Sequence, residues 1–469
     1  MKAALAAALC LWALASFASG QESVQWRLVW QDEFDGPSLD PLKWRAEDAA
    51  LEKNNEQQYY LPDEVELRDG LLILHSRERQ RGRRPYTSGM VETRDRFARA
   101  FGRFEVRARL PSGQGVWPAH WMLPASGLWP PEIDIMEMLG HEPHRIHMSN
   151  HWGDWPHHAW NTGHFDGPRF DEDFHTFAVE WRPGVLEWYI DGELRFRSEQ
   201  GVPAEPFYLI LNTAVGGNWP GSPDETTVFP VRHEIDYVRI YEPVESERCY
   251  IWLDAVNGAV RTAPAGYCFP VGAELEVVAE PDIGYRFAGW DGGLKGHSAR
   301  AKVTLEENLN AVARFEPDPD APARLKPVGP PAASSFEQKG FEPACAIDGQ
   351  PGTRWSSAFA EPQWIMLDFG SVCDIRAVDI AWEASHPRTV AIQVSDDAAQ
   401  WKTVRTLTKD SPARDILRDL DARGRYLRLH CSGRTTQYGF SIWELGVYGG
   451  ALDNGPAGTA APAADDEPR

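Results

Sequence analysis

The sequence predicts an all-β protein built as sandwiches or barrels, and two observations carry that expectation. Short segments alternate apolar with polar residues at 71–75, 102–107, 177–181 and 186–190, the last running into the hairpin signal Asp191-Gly192. No long amphipathic helix interrupts them. At 469 residues the chain is long enough for about two to four domains, each with its own core.

Residues 1–20 hold Lys2, an apolar run from Ala3 to Ala18 and the small residues Ala18-Ser19-Gly20. This is the pattern of a secretory leader, too short for a comfortable membrane span, so an exported, soluble protein without membrane insertion is expected. The net charge of −22 argues against nucleic acid and anionic membranes as partners. Twenty Trp are many for this length, and exposed indoles stack on the apolar faces of sugar rings. With Cys10 in the leader, Cys249, Cys268, Cys345, Cys373 and Cys431 remain. Export permits disulfides, and the expectation is Cys249–Cys268, one pair among the other three and one thiol left over.

The stretch richest in chemistry is Pro131-Glu132-Ile133-Asp134-Ile135-Met136-Glu137-Met138-Leu139-Gly140. It alternates, and neither glycine nor proline interrupts 132–139, so it reads as a strand. Glu132 and Asp134 then share a face, whereas Glu137 points the other way. One β-bulge at Ile135-Met136 would bring Glu137 back, because a bulge adds a residue and re-aims the side chains beyond it. Three carboxylates on one face repel one another, so at least one proton should be held well above its usual pKa. An ionised carboxyl beside a protonated one is what retaining glycoside hydrolysis uses, as nucleophile and general acid. A solvated acidic edge is the plain alternative, but it would not explain the flanking Trp117, Trp121 and Trp129.

Residues 24–243 read as one all-β unit. Within it, 28–36 (LVWQDEFDG), 54–60 (NNEQQYY), 115–122 (GVWPAHWM), 174–181 (FHTFAVEW), 212–221 (NTAVGGNWPG) and 236–241 (DYVRIY) resemble glycoside hydrolase family 16, in family order. The resemblance implies a β-jelly-roll sandwich, concanavalin A-like, with a sugar cleft on its concave sheet. It also implies the bulged E-x-D-x-x-E subgroup that contains laminarinases. On that resemblance Glu132 is the nucleophile, Glu137 the general acid/base, and Asp134 the partner that tunes the proton between them. Asn55, Trp117, Trp121 and His151 fall on positions that line the cleft.

His147, Ser149 and His151 alternate on the next strand, so His151 can reach the carboxylates. The competing reading is a metal pair at His147 and His151, in a region rich in histidine; no Cys or well-spaced acid completes a site. Apart from a structural Ca2+, no cofactor is expected. The resemblance places that ion at Glu33, Gly70 and Asp236, and hard oxygen ligands suit it. Two departures, Pro131 in place of the usual Gly and Met148-Ser149-Asn150-His151-Trp152, lie at the cleft. A β-1,3-glucan is expected as the substrate, with a β-linked galactan or mixed-linkage glucan as alternatives. A non-catalytic lectin or adhesin on the same sandwich is the rival from another class.

Residues 246–317, through 284–290 (GYRFAGW) and 311–315 (AVARF), resemble the internalin-type B repeat, for which adhesion and a spacer role are the two readings. Residues 318–325 are rich in Pro, Asp and Ala and read as a stiff linker. Residues 326–450 resemble the discoidin, coagulation-factor type C fold through 346–357 (AIDGQPGTRWSS), 363–370 (QWIMLDFG) and 442–449 (IWELGVYG). That implies a carbohydrate-binding module of family 32 with Ca2+ at Asp348, Thr353 and Glu444. Trp355 and Trp364 are expected in its core, and Phe359 and Tyr438 on its sugar-contacting loops. Residues 451–469 read as a disordered tail. The expected partner is a polysaccharide, met by a monomer.

Overall fold

The computed structural model describes residues 24–451 except Glu52, residues 154–157 and Pro351. The leader expected over 1–20 lies outside the described residues. So does the tail expected over 451–469, save Ala451, which closes the strand Ser441–Ala451.

The first unit is a sandwich of two antiparallel-dominated sheets. A ten-stranded sheet centres on Gly102–Arg109, Val231–Val244 and Leu71–Arg77. Its facing partner has seven strands in the order Ala159–Asp166, Arg145–Trp152, Glu132–Glu137, Val116–Pro124, Phe207–Val215, Met90–Glu92, Arg45–Ala46. Alternation places the residues. In Gly102–Arg109, Phe104, Val106 and Ala108 are buried while Arg103, Glu105 and Arg107 lie outside and pair with charged partners. Phe207–Val215 is buried along its whole length, flanked on both edges by strands, with Phe207, Leu209 and Leu211 in the core between the sheets. The core between the sheets packs Ile133, Ile135, Met136 and Met138 of one against Phe177, Val179 and Trp188 of the other. Burying each such side chain stabilises the fold by about 1.5–3 kcal/mol.

The second unit is docked rather than hung from the first. Its strand Arg248–Ala255 runs parallel to Leu309–Pro317. Tyr250 and Trp252 on that strand belong to the first unit's core. The Trp252 indole donates to the Ala100 carbonyl at 2.8 Å, and the Arg99 guanidinium stacks 4.0 Å over its ring. Arg99 also donates to Asn310 at 2.8 Å and pairs with the fully buried Glu242.

In the third unit, a nine-stranded sheet winds about the long strand Gln363–Trp382. Trp355 is fully buried there, as expected, whereas Trp364 is only half-buried on the sheet face near Arg428. The residues read as linker are not wholly separate. Ala323–Arg324 forms a strand that pairs with Tyr448 and Gly449. Arg414 joins Asp379 of this unit to Asp282 of the second.

The expected disulfides are absent: all five of these cysteines are free. Cys249 stands opposite Phe269, and Cys268 opposite Tyr250. That one-residue offset turns the two thiols to opposite faces of the ribbon. Cys249 enters the second unit's core, while Cys268 packs against the first unit's core. Cys431 is sealed in the third core, where burial pushes its thiol up beyond the range of an ordinary cysteine.

Candidate active site

The strand Glu132–Glu137 carries the bulge that its sequence predicts. Against the strand Val116–Pro124, Asp134 pairs with Trp121 and Met136 with the very next residue, His120, so one residue is extra. Against Arg145–Trp152 the same step takes three residues, Asp134 to Glu137, across two, Ser149 to His147. Ile135 and Met136 both turn inward and are buried at 2% and 0% exposure, so apolar side chains fill both positions of the irregularity. The Trp188 indole, from the opposite sheet, donates to the Asp134 carbonyl at 2.8 Å and ties down the start of the bulge. Glu132, Asp134 and Glu137 consequently open on one side, into a cleft of about 650 Å³.

Each carboxyl meets a different environment. Asp134 is 2% exposed, and burial followed by the neighbouring Glu132, including a carboxyl–carboxyl hydrogen bond, raises its pKa well above the usual carboxylate range. Burial also holds Glu137 well above that range, reinforced by the charges of Asp134 and Glu132. The Trp117 indole, donating to Glu137 Oε1 at 3.1 Å, and His151 partly offset this. Glu132 accepts from the Trp129 indole at 2.9 Å. His151 Nε2 lies 3.2 Å from Asp134 Oδ2 and 3.9 Å from Glu132 Oε1, though Oδ2 accepts no aligned hydrogen bond. His151 Nδ1 hydrogen-bonds His158 Nε2 at 2.9 Å, with the two rings stacked.

Trp117, Trp121 and His151 line the cleft. Asn55 does not; its amide is turned to Asn218 at 2.8 Å, and the preceding residue, Asn54, occupies the wall. Trp121 is fixed by Asn212, which in turn donates to the Tyr60 hydroxyl. Sequence reasoning missed Trp160 and Trp219, which are 60% and 40% exposed at the cleft. Trp160 sits directly opposite His151 on the neighbouring strand, and Trp219 meets the Trp117 ring edge-on at 5.2 Å. Lys53, 4.3 Å over the Trp121 ring, is a further lining residue missed.

The predicted calcium sets differ in fit. Glu33 is engaged through both oxygens by Arg239, and Asp236 is paired with Arg107, so guanidinium groups already neutralise those carboxylates. Both carboxylate oxygens of Glu33 and one of Asp236 are thus engaged, and Gly70 has only its carbonyl to offer the ion. In the third unit, Thr353 donates to Asp348 at 2.8 and 2.9 Å, and Glu444, on the strand Ser441–Ala451, accepts from the Gly349 amide at 3.1 Å, so this strand residue meets the loop that carries Asp348 and Thr353. Arg324 also reaches Glu444 there.

A groove of indole faces, with the buried Asp134 between two half-buried glutamates and the pKa values of Asp134 and Glu137 raised, suits the breaking of a bond between sugars; the class is the glycoside hydrolases. Within that class the chain belongs to family 16. The model of the glycosyl hydrolases family 16 matches residues 47–239. A β-glucanase of Rhodothermus marinus is 39% identical over 47% of this chain and 86% of its own length. A glucan endo-1,3-β-glucosidase of Cryptopygus antarcticus is 33% identical over 49% of this chain and 95% of its own. The solved structure of the laminarinase from Rhodothermus marinus is 38% identical, covering 47% of this chain and 99% of that one, with a TM-score of 0.45. Residues 254–319 match a divergent InlB B-repeat domain, and residues 331–445 an F5/8 type C domain.

Proposed function

We propose that this protein is a secreted endo-acting retaining hydrolase of β-1,3-glucan, with Glu132 as nucleophile and Glu137 as general acid/base. One observation carries the reading: the bulge that turns Glu137 to the side on which Glu132 and Asp134 already open. Glu137, held protonated by burial and by its acidic neighbours, is suited to protonate the leaving glycosidic oxygen while Glu132 attacks the anomeric carbon. Once Glu132 is esterified its negative charge is gone, and one of the influences raising Glu137 goes with it. Glu137 is then the better base to activate the water that releases the sugar. Asp134 keeps its proton and shares it with Glu132.

The named activities of the β-glucanase and endo-1,3-β-glucosidase relatives support glucan over galactan as the backbone. The third unit serves as a glycan-binding module that holds the catalyst near a polymer, with the exposed Phe359 and Tyr438, 5.5 Å apart and edge to face, as its contact loops. Asp348, Thr353 and Glu444 would hold its structural Ca2+. The protein works as a monomer. Reducing-end release from laminarin, lichenan and β-1,3-galactan, with Glu132→Gln as control, tests the reading. Release from laminarin that Glu132→Gln abolishes is expected. No release from any polymer points to a lectin or adhesin, and release from galactan alone overturns the substrate.

A further inference from the structure

From sequence, the metal pair His147 and His151 has no Cys or well-spaced acid to complete it. The fold supplies two, from the adjacent strand. One ligand atom each from Glu132, Asp134 and His151 lies within 4.8 Å of the others. The His151–Asp134 and His151–Glu132 separations of 3.2 and 3.9 Å bracket the roughly 3.4 Å between tetrahedral ligands at about 2.1 Å from a metal. A second observation points to a ligand: Asp134 Oδ2 is buried, faces His151 Nε2, and accepts no hydrogen bond. The His158 contact on His151 Nδ1 supplies the kind of outer support that orients a metal-binding imidazole. When Nδ1 carries the proton, Nε2 turns a lone pair toward Oδ2, and two acceptors converge on one point.

We propose that Glu132, Asp134 and His151 bind one borderline-soft divalent cation of the zinc type, which closes the cleft to the substrate. The cation takes the place of the proton between the two carboxyls, with the fourth position open to water. One imidazole and two carboxylates suit zinc, whereas magnesium requires near-octahedral oxygen ligation. Binding stands apart from the hydrolase reading; only the inhibition rests on it.

The test is calorimetric titration of the full chain, freed of metal with EDTA, with zinc chloride and separately with magnesium chloride, beside laminarin hydrolysis at graded zinc. One zinc per chain, no magnesium at the same concentrations, and competitive inhibition reversed by EDTA are expected. Glu137→Gln keeps the zinc. His158→Ala weakens binding by about 10- to 100-fold, and His151→Ala and Glu132→Gln weaken it further, with circular dichroism confirming the fold of each. Zinc uptake that is absent from folded wild type, unchanged in both His151→Ala and Glu132→Gln, or non-competitive with laminarin overturns the proposal. Zinc bound by a protein inert on every polymer would sink the hydrolase reading and leave the site standing. An active protein indifferent to zinc does the reverse.

Discussion

Glu132 and Glu137 are five residues apart on their strand, yet their partners across the ladder, His151 and His147, are only four apart. The surplus residue is why both glutamates open on one side of the sheet. Glu137 is therefore the residue whose loss is most diagnostic. Glu137→Gln removes a general acid, and laminarin hydrolysis should fall by about 10²–10⁴-fold. An aryl glycoside whose leaving group needs no proton should lose much less in the first step. Glu132→Gln should abolish both activities, because the nucleophile is needed whatever leaves. Equal losses of the two substrates in Glu137→Gln would contradict the assigned roles.

The pH profile is set by the same carboxyl. Its folded pKa is raised, so the productive protonated form persists above the pH at which an ordinary glutamate ionises, and kcat/KM falls as pH rises through the raised value. The Trp117 indole favours the ionised form by donating to Oε1. Trp117→Phe should therefore move the alkaline limb to higher pH, whatever it does to KM. A limb that stays put or moves down would show that the indole does not set this proton.

Trp129 is 48% exposed, and its polar contact is the 2.9 Å hydrogen bond to Glu132 Oε2. Trp129→Phe should leave the melting temperature nearly unchanged and lower kcat on the order of tenfold, the size of a hydrogen bond worth about 1.5 kcal/mol. Steady-state kinetics beside a thermal melt would check this. A large fall in Tm would make Trp129 a structural residue.

The second unit's hold on the first is tested by Trp252→Ala. This ring is 4% exposed, lies in the first unit's core and sits under Arg99. Truncation should cost about 3–5 kcal/mol and lower the melting temperature of the catalytic activity, while kcat at low temperature is kept. Unchanged heat inactivation would mean the two units are energetically separate.

The free thiols make a further test. Under denaturing conditions a thiol reagent should titrate Cys249, Cys268, Cys345, Cys373 and Cys431 alike, with no prior reduction. Reductant should leave Tm unchanged, since no crosslink constrains the unfolded chain. A Tm lowered by dithiothreitol would reinstate a disulfide.

Much of this was legible along the chain, because the relevant signals are local. Period-two alternation marks strands such as Gly102–Arg109, and two adjacent apolar residues, Ile135 and Met136, between spaced acids mark a bulge. The wrong disulfide and the misplaced Asn55 share a cause. Which face a thiol or amide takes depends on register against a partner strand or loop, as Cys249 opposite Phe269 shows. The guanidinium groups of Arg239 and Arg107 on the expected calcium ligands are likewise long-range partners that local spacing does not reveal.

By itself the sequence determined the all-β class, the order of the three units, and the trio of acids with the kink that aligns them, since each is written in residues a few positions apart. Only the tertiary structure decided which tryptophans become walls of the cleft, which acids join His151, and that Trp252 is part of its neighbour's core. Those facts are sums over contacts between distant segments, and such contacts exist only once the sheets have closed on one another.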